Sequence, residues 1–362
     1  MANKMINCKS CGAEIAASAK TCPKCGAKNK KPIYKKWWFY VLVLLIVAAV
    51  AGGSGGGKTV TQQVGTVSQT QSTGGKPQSS GDKQSSTKPS EPTPEPKTIY
   101  NVGDILQDGN VQIVYMASGD YVSDNQFLQP GAGNKYIFLE FAFNNTGKSD
   151  TSISAFSFEC YADGYNVDMF YGGEEPLSAT LSSGRSTTGK IYFEVPADAK
   201  EIEIEYTPNA FFDRKIKFVY EGNLNSGYVP EADTSRTEDA LHVGEIYEAS
   251  SLRISYLNCE NYVSDNMYVQ PKAGFHYVSL SFEFENLGSS DRMISSFSFD
   301  CYADGAACDG SYFRDDDLQA TISAGRKAKG TVTFEVPDNA EVIEVEFNNN
   351  VWTSDRIAFV VK

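Results

Sequence analysis

The 362-residue chain reads as mainly β: two tandem antiparallel β-sandwiches, preceded by a short cysteine-bearing head and one apolar segment. Three observations lead there. In the distal two thirds, apolar and polar residues alternate with period two: Ile137, Leu139, Phe141 and Phe143 interleave with Phe138, Glu140 and Ala142. No convincing run carries the 3.6-residue period of an amphipathic helix. The alternating region is also written twice at a constant offset of 141 residues, Val102-Gly103 recurring as Val243-Gly244 and Cys160-Tyr-Ala-Asp-Gly164 as Cys301-Tyr-Ala-Asp-Gly305.

The head, residues 1–28, holds Cys8, Cys11, Cys22 and Cys25 as two Cys-x-x-Cys pairs, each followed by glycine (Gly12 and Gly26). Each pair can aim two thiolates at one point, and two pairs complete a closed tetrahedral shell. A redox role would need a βαβ setting, which is absent. The quartet resembles the four-cysteine zinc-ribbon module at the N-termini of many bacterial membrane proteins, over roughly Ile6 to Ala27. The resemblance implies one structural Zn2+ on these four cysteines, with metal binding supplying most of the folding free energy of so short a segment.

Residues 37–57 contain no charge, and their apolar heart, Trp37 to Ala51, is followed by small residues that extend it. With an aromatic belt at Trp37, Trp38, Phe39 and Tyr40, the segment is expected to be a single transmembrane helix. Residues 1–36 hold nine lysines against one glutamate, so the N-terminus is expected in the cytoplasm and the rest outside. Residues 58–97, rich in Gly, Ser, Thr, Gln, Lys and Pro, read as a disordered stalk.

The first sandwich is expected at 98–222, a linker at 223–240 and the second sandwich at 241–362. Roughly 50 of the 118 positions from Val102 to Val219 are identical in the second copy, without a gap. Each copy is long enough to hold its own core, so this is domain duplication rather than a solenoid. Phe156, Phe158 and Cys160 alternate, as do Phe297, Phe299 and Cys301, and are expected to share a buried face, the thiols acting as small apolar groups. Cys259 and Cys308 exist only in the second copy and could pair with each other in an oxidising space; pairing of Cys301 with Cys308 is the other option.

The strand order, the Gly184-Arg185 and Gly325-Arg326 turns and the Val-Pro-x-x-Ala segment resemble a family of immunoglobulin-like bacterial extracellular domains of unknown function, similar in fold to the secreted mycobacterial immunoprotective antigen. That resemblance implies immunoglobulin-like β-sandwiches and brings no catalytic motif.

From residue 98 onward there are 18 Lys/Arg against 41 Asp/Glu, a balance of −23 that disfavours nucleic acid as a partner. Carboxylates at Asp124/Asp265, Asp163/Asp304 and Asp315 to Asp317 match no ordered calcium loop and read as turn residues. His242 and His276 sit in no metal or nucleophile pattern, and no hydrolase or phosphate-loop motif occurs, so no enzyme is expected. The expectation is a single-pass, cell-surface binding protein whose sandwich loops recognise an extracellular protein, a wall component or a small ligand. The alternative is an envelope-stress component whose ribbon contacts a cytoplasmic protein.

Overall fold

The computed structural model describes residues 5–7, 14–16, 62–66, 99–208, 214–350 and 355–362. The chain divides into two units, residues 1–58 and 59–362. In the first unit, β1 (Met5–Asn7) pairs antiparallel with β2 (Glu14–Ala16), Ile6 opposite Ile15. The four cysteines and the segment 37–57 lie outside the described residues; among those described, no helix is long and apolar enough to cross a membrane.

The second unit begins with a difference from expectation. Within the presumed stalk, β3 (Gln62–Thr66) pairs with residues 104–107. An edge strand is held by main-chain hydrogen bonds, so its polar composition hid it. The first module continues with β4 (Ile99–Tyr100), β5 (Asp104–Asp108), β6 (Val111–Tyr121), β7 (Asn134–Asn145), β8 (Thr151–Ser154), β9 (Phe158–Ala162), β10 (Tyr165–Val167), β11 (Ser178–Leu181), β12 (Ser186–Pro196), β13 (Ile202–Tyr206), β14 (Ile216–Val219) and β15 (Leu224–Asn225). The second module comprises β16 (Ile246–Ala249), β17 (Leu252–Tyr262), β18 (Phe275–Asn286), β19 (Arg292–Ser295), β20 (Phe299–Ala303), β21 (Ala306–Ser311), β22 (Gln319–Ile322), β23 (Lys327–Pro337), β24 (Ile343–Asn350) and β25 (Asp355–Val360).

In the first module, the sheet β3-β5-β6-β7-β12 faces the sheet β10-β9-β13-β14-β4. The second module repeats this with β16-β17-β18-β23 and β20-β24-β25, but β21 pairs with both β20 and β23 and so joins its two layers along one edge. Even a bulge is repeated, after Tyr115 in β6 and after Tyr256 in β17.

The cores repeat as well. Tyr115 stacks on Phe141 at 5.0 Å and its hydroxyl donates across the sandwich to the Val219 carbonyl at 3.0 Å. Tyr256 stacks on Phe282 at 5.2 Å and donates to Val360 at 3.0 Å. Such ring pairs add about 0.5–1.5 kcal/mol beyond their buried area, and the hydrogen bond satisfies the phenol inside an apolar core. Cys160 and Cys301 are buried as expected. All four thiols among the described residues are free, and Cys308 stands opposite Cys301 across β20 and β21, while Cys259 lies on β17.

Phe156 and Phe297 depart from the expected buried face and are 78% and 73% exposed. A single 3-10 turn interrupts the alternation just before β9 and β20, and Ser154 and Ser295 cap it by accepting from the backbone N–H of the very phenylalanines that are turned outward. Alternation predicts a face only while the backbone stays extended.

Candidate binding surfaces

Two parts of the second unit combine unusual exposure or unusual burial with defined geometry. The first is the loop carrying the repeated Tyr-Val-Ser-Asp-Asn pentapeptide. Asn125 Oδ1 accepts from the Phe127 N–H at 3.0 Å, and Gln129 Nε2 donates to the carbonyls of Ser123 at 3.0 Å and Asn125 at 2.9 Å. The second module reproduces the set: Asn266 Oδ1 accepts from Tyr268 at 3.0 Å, and Gln270 Nε2 reaches Ser264 at 3.0 Å and Asn266 at 2.8 Å. Ser, Asn and Gln thus recur because they brace the loop from within.

What the braced loop displays is apolar. Val122 and Phe127 are 80% and 84% exposed, and their counterparts Val263 and Tyr268 are 80% and 88% exposed. Beneath the first loop, Tyr121, Tyr136, Phe170 and Tyr192 form an aromatic platform, Tyr136 stacking on Phe170 at 3.9 Å. The second platform keeps Tyr262 and Tyr277 but uses Phe313, with the Arg314 guanidinium 4.3 Å over the Tyr262 ring. This exchange is compensated. Gly173, where the second copy has Arg314, lies so close to the Tyr192 ring that a side chain would overlap it, and the second copy has Thr333 in place of Tyr192. A further exposed pair recurs next to the 3-10 turn, Phe156 with Tyr171 and Phe297 with Tyr312.

The second part is the contact between the modules. Arg185 Nη2 lies 2.8 Å from Glu344 and 2.9 Å from Glu346, and its guanidinium covers the Tyr302 ring at 4.7 Å. The Tyr302 hydroxyl donates to the Thr180 carbonyl at 2.7 Å. Arg356 pairs with Asp150 at 2.8 Å and Asp300 at 2.6 Å. Burial pulls the Arg185 pKa down, but the hydrogen bonds and charges of Glu344 and Glu346 outweigh it and leave it raised. Burial pushes the Asp300 carboxyl up against the opposing pull of Arg356. The segment read as a linker is docked on this contact: Thr237 donates twice to Glu344, at 2.9 and 3.0 Å, and Asp233 N–H donates to the Asp304 carbonyl. Beside it lie a polar cleft of about 310 Å³ and a larger groove of about 840 Å³ that includes Phe297, Tyr312 and Cys308.

The acidic candidates separate cleanly. Asp163 accepts from the N–H groups of Lys200 and Glu201, and Asp304 from those of Glu341 and Val342, so both tie a turn to the neighbouring strand. Asp316 pairs with Arg314, whereas Asp124 and Asp265 are exposed on the braced loops. His276 Nδ1 lies 2.8 Å from Asp338. Among the described residues no group of three or more His, Cys, Asp or Glu is placed to hold a metal ion. The pentapeptide was legible in the sequence; the inter-module carboxylates were not, since Glu344 and Glu346 alternate along their strand like any solvated pair.

A zinc-ribbon domain model matches residues 7–29, and the model of a domain of unknown function (DUF4352) matches residues 100–216 and 241–357. No curated protein matches the chain. Among solved structures, the putative lipoprotein YcdA of Bacillus subtilis is similar at 18% identity, over 31% of this chain and 36% of that one, with a TM-score of 0.27. The match thus spans about a third of that lipoprotein. The YjhA protein of Bacillus subtilis is similar at 11% identity over 33% of this chain and 98% of its own, TM-score 0.27. The secreted protein MPT63 of Mycobacterium tuberculosis is similar at 13% identity over 34% and 99%, TM-score 0.26.

Proposed function

Because the chain belongs to the DUF4352 family, carrying that domain twice behind a zinc ribbon, we propose that it is a non-enzymatic binding protein of the cell surface, anchored by residues 37–57. The observation that carries this reading is the pair of braced loops. A loop fixed by its own hydrogen bonds loses little entropy on binding, and an exposed aromatic beside an exposed valine offers area that water does not stabilise. Both modules keep these features while much of the intervening sequence differs. The uncharged length of residues 37–57 and the lysine excess before it support anchoring with the sandwiches outside.

In the head, Cys8, Cys11, Cys22 and Cys25 would hold one zinc ion. The described pairing of Met5–Asn7 with Glu14–Ala16, one strand on each side of the first cysteine pair in the sequence, is compatible with that role. A closed four-thiolate site supplies folding energy and no open coordination position for chemistry.

The full chain carrying Phe127→Ser and Tyr268→Ser tests the binding reading. Both positions are exposed, so the fold should be unaffected. Retention on a preparation of cell walls and membrane proteins is expected to fall at least about tenfold. Retention equal to that of the parent chain would sink the assignment of recognition to these loops.

A further inference from the structure

The contact between the modules is heterologous: a face of the first, centred on Arg185, meets a different face of the second, centred on Tyr302, Glu344 and Glu346. Because the modules are copies, each also carries the face its partner uses. On the second module, Arg326 stands at the position of Arg185, Asp291 at that of Asp150 and Thr321 at that of Thr180. On the first, Tyr161, Glu203 and Glu205 stand at the positions of Tyr302, Glu344 and Glu346, with Glu159 for Asp300 and Lys215 for Arg356. The charged groups that build the buried contact are thus all present again, with their signs preserved, on a second pair of faces.

We propose that a second copy of this chain occupies these faces, the Arg326 face of one molecule docking on the Glu203/Glu205 face of the next. The contact repeats the geometry of the intramolecular one. Arg326 is exposed and has no ion-pair partner among the described residues. The strand segment that follows the arginine is available too. In the intramolecular contact, Ser186 N–H donates to the Gly305 carbonyl at 3.0 Å, where the Asp304-Gly305 turn has φ of 48° and 80°. The Asp163-Gly164 turn of the first module has nearly the same conformation, φ 48° and 83°, and would receive the N–H of Lys327 in the same way. A heterologous contact leaves one face of each kind free at the ends, so it adds molecule after molecule head to tail.

One residue opposes the docking. Where the second module has Ala358, the first has Lys217, whose Nζ lies 2.6 Å from Glu203 and 3.4 Å from Glu205. Lys215 also pairs with Glu205 at 2.5 Å. These lysines are partly exposed, and such pairs contribute little, so an arriving arginine with its bidentate fork can replace them. Lys217 sets how readily the assembly forms.

Two differently tagged copies of the full chain, co-expressed and extracted in mild detergent, give the test: one tag is captured and the other measured. The second tag is expected to co-purify, and Arg326→Glu in both copies is expected to reduce its recovery at least about tenfold. Lys217→Ala, which gives the first module the residue of the second, is expected to raise it severalfold. Glu260→Lys, exposed on β17 and outside the matched set, should leave it unchanged. Absence of the second tag, or recovery that Arg326→Glu does not lower, overturns the proposal.

Discussion

Arg185 and Glu344, 159 residues apart, form a charge-assisted hydrogen bond of 2.8 Å with both side chains withdrawn from water, 7% and 0% exposed. The pair joins the two modules. A buried ion pair adds modest net stability, yet removing one partner strands the other charge away from solvent.

Arg185→Ala is therefore expected to cost about 3–5 kcal/mol, because the buried Glu344 is left without its cation and Glu346 keeps only Arg356, at 3.5 Å. Calorimetry should show the consequence directly: the modules, coupled in the parent chain, should unfold as two separated transitions. A single unshifted transition would contradict this role.

Gln129→Ala removes two donors from the braced loop. Each hydrogen bond contributes about 0.5–1.5 kcal/mol, so the loop should open locally while the sandwich persists. Hydrogen exchange at the Phe127 and Leu128 amides should accelerate at least about tenfold, with core amides such as Phe141 unchanged.

The exchange between Gly173/Tyr192 and Arg314/Thr333 makes a double-mutant cycle informative. Gly173→Ala alone should destabilise by about 1–3 kcal/mol through overlap with the Tyr192 ring. In a Tyr192→Thr background the same change should cost much less, leaving a coupling energy of about 1 kcal/mol or more between the sites. Additive effects would show that the ring does not restrict this position.

Burial pushes the Cys160 thiol from 9.0 up to about 12. As pH rises past the unfolded value, the unfolded chain loses this proton while the native chain retains it. The native state then holds more protons, and stability falls with increasing pH from about 9 to about 12; below that window the term is absent. Cys160→Val should flatten this alkaline limb by about 1 kcal/mol at pH 10, read from denaturant midpoints. In the native state the thiol should resist alkylation.

For the head, metal analysis of the full chain under reducing conditions should find about one zinc ion per chain, and Cys8→Ser or Cys22→Ser should abolish most of it. Chelation should speed exchange at the amides of Ile6 and Ile15, which face each other in the small hairpin, and leave the sandwiches unaffected.

The sequence alone determined whatever depends on neighbours in the chain. Period-two alternation marked the long strands from Asn134 and Phe275, the constant offset marked two equivalent modules, and the spacing of four cysteines marked the ribbon. These signals are local because side-chain direction in an extended strand follows residue parity. The same reasoning failed at Phe156 and Phe297, where one serine-capped turn broke the extension, and at Gln62–Thr66, where backbone pairing needed no apolar side chain. Only the tertiary structure decided the fate of the matching carboxylates. Glu203 and Glu344 occupy the same place on the same strand, yet one rests beside exposed lysines and the other is buried under Arg185. Parity tells which face of a sheet a residue is on; whether that face meets water or another module depends on how separate bodies dock, and no local pattern encodes that.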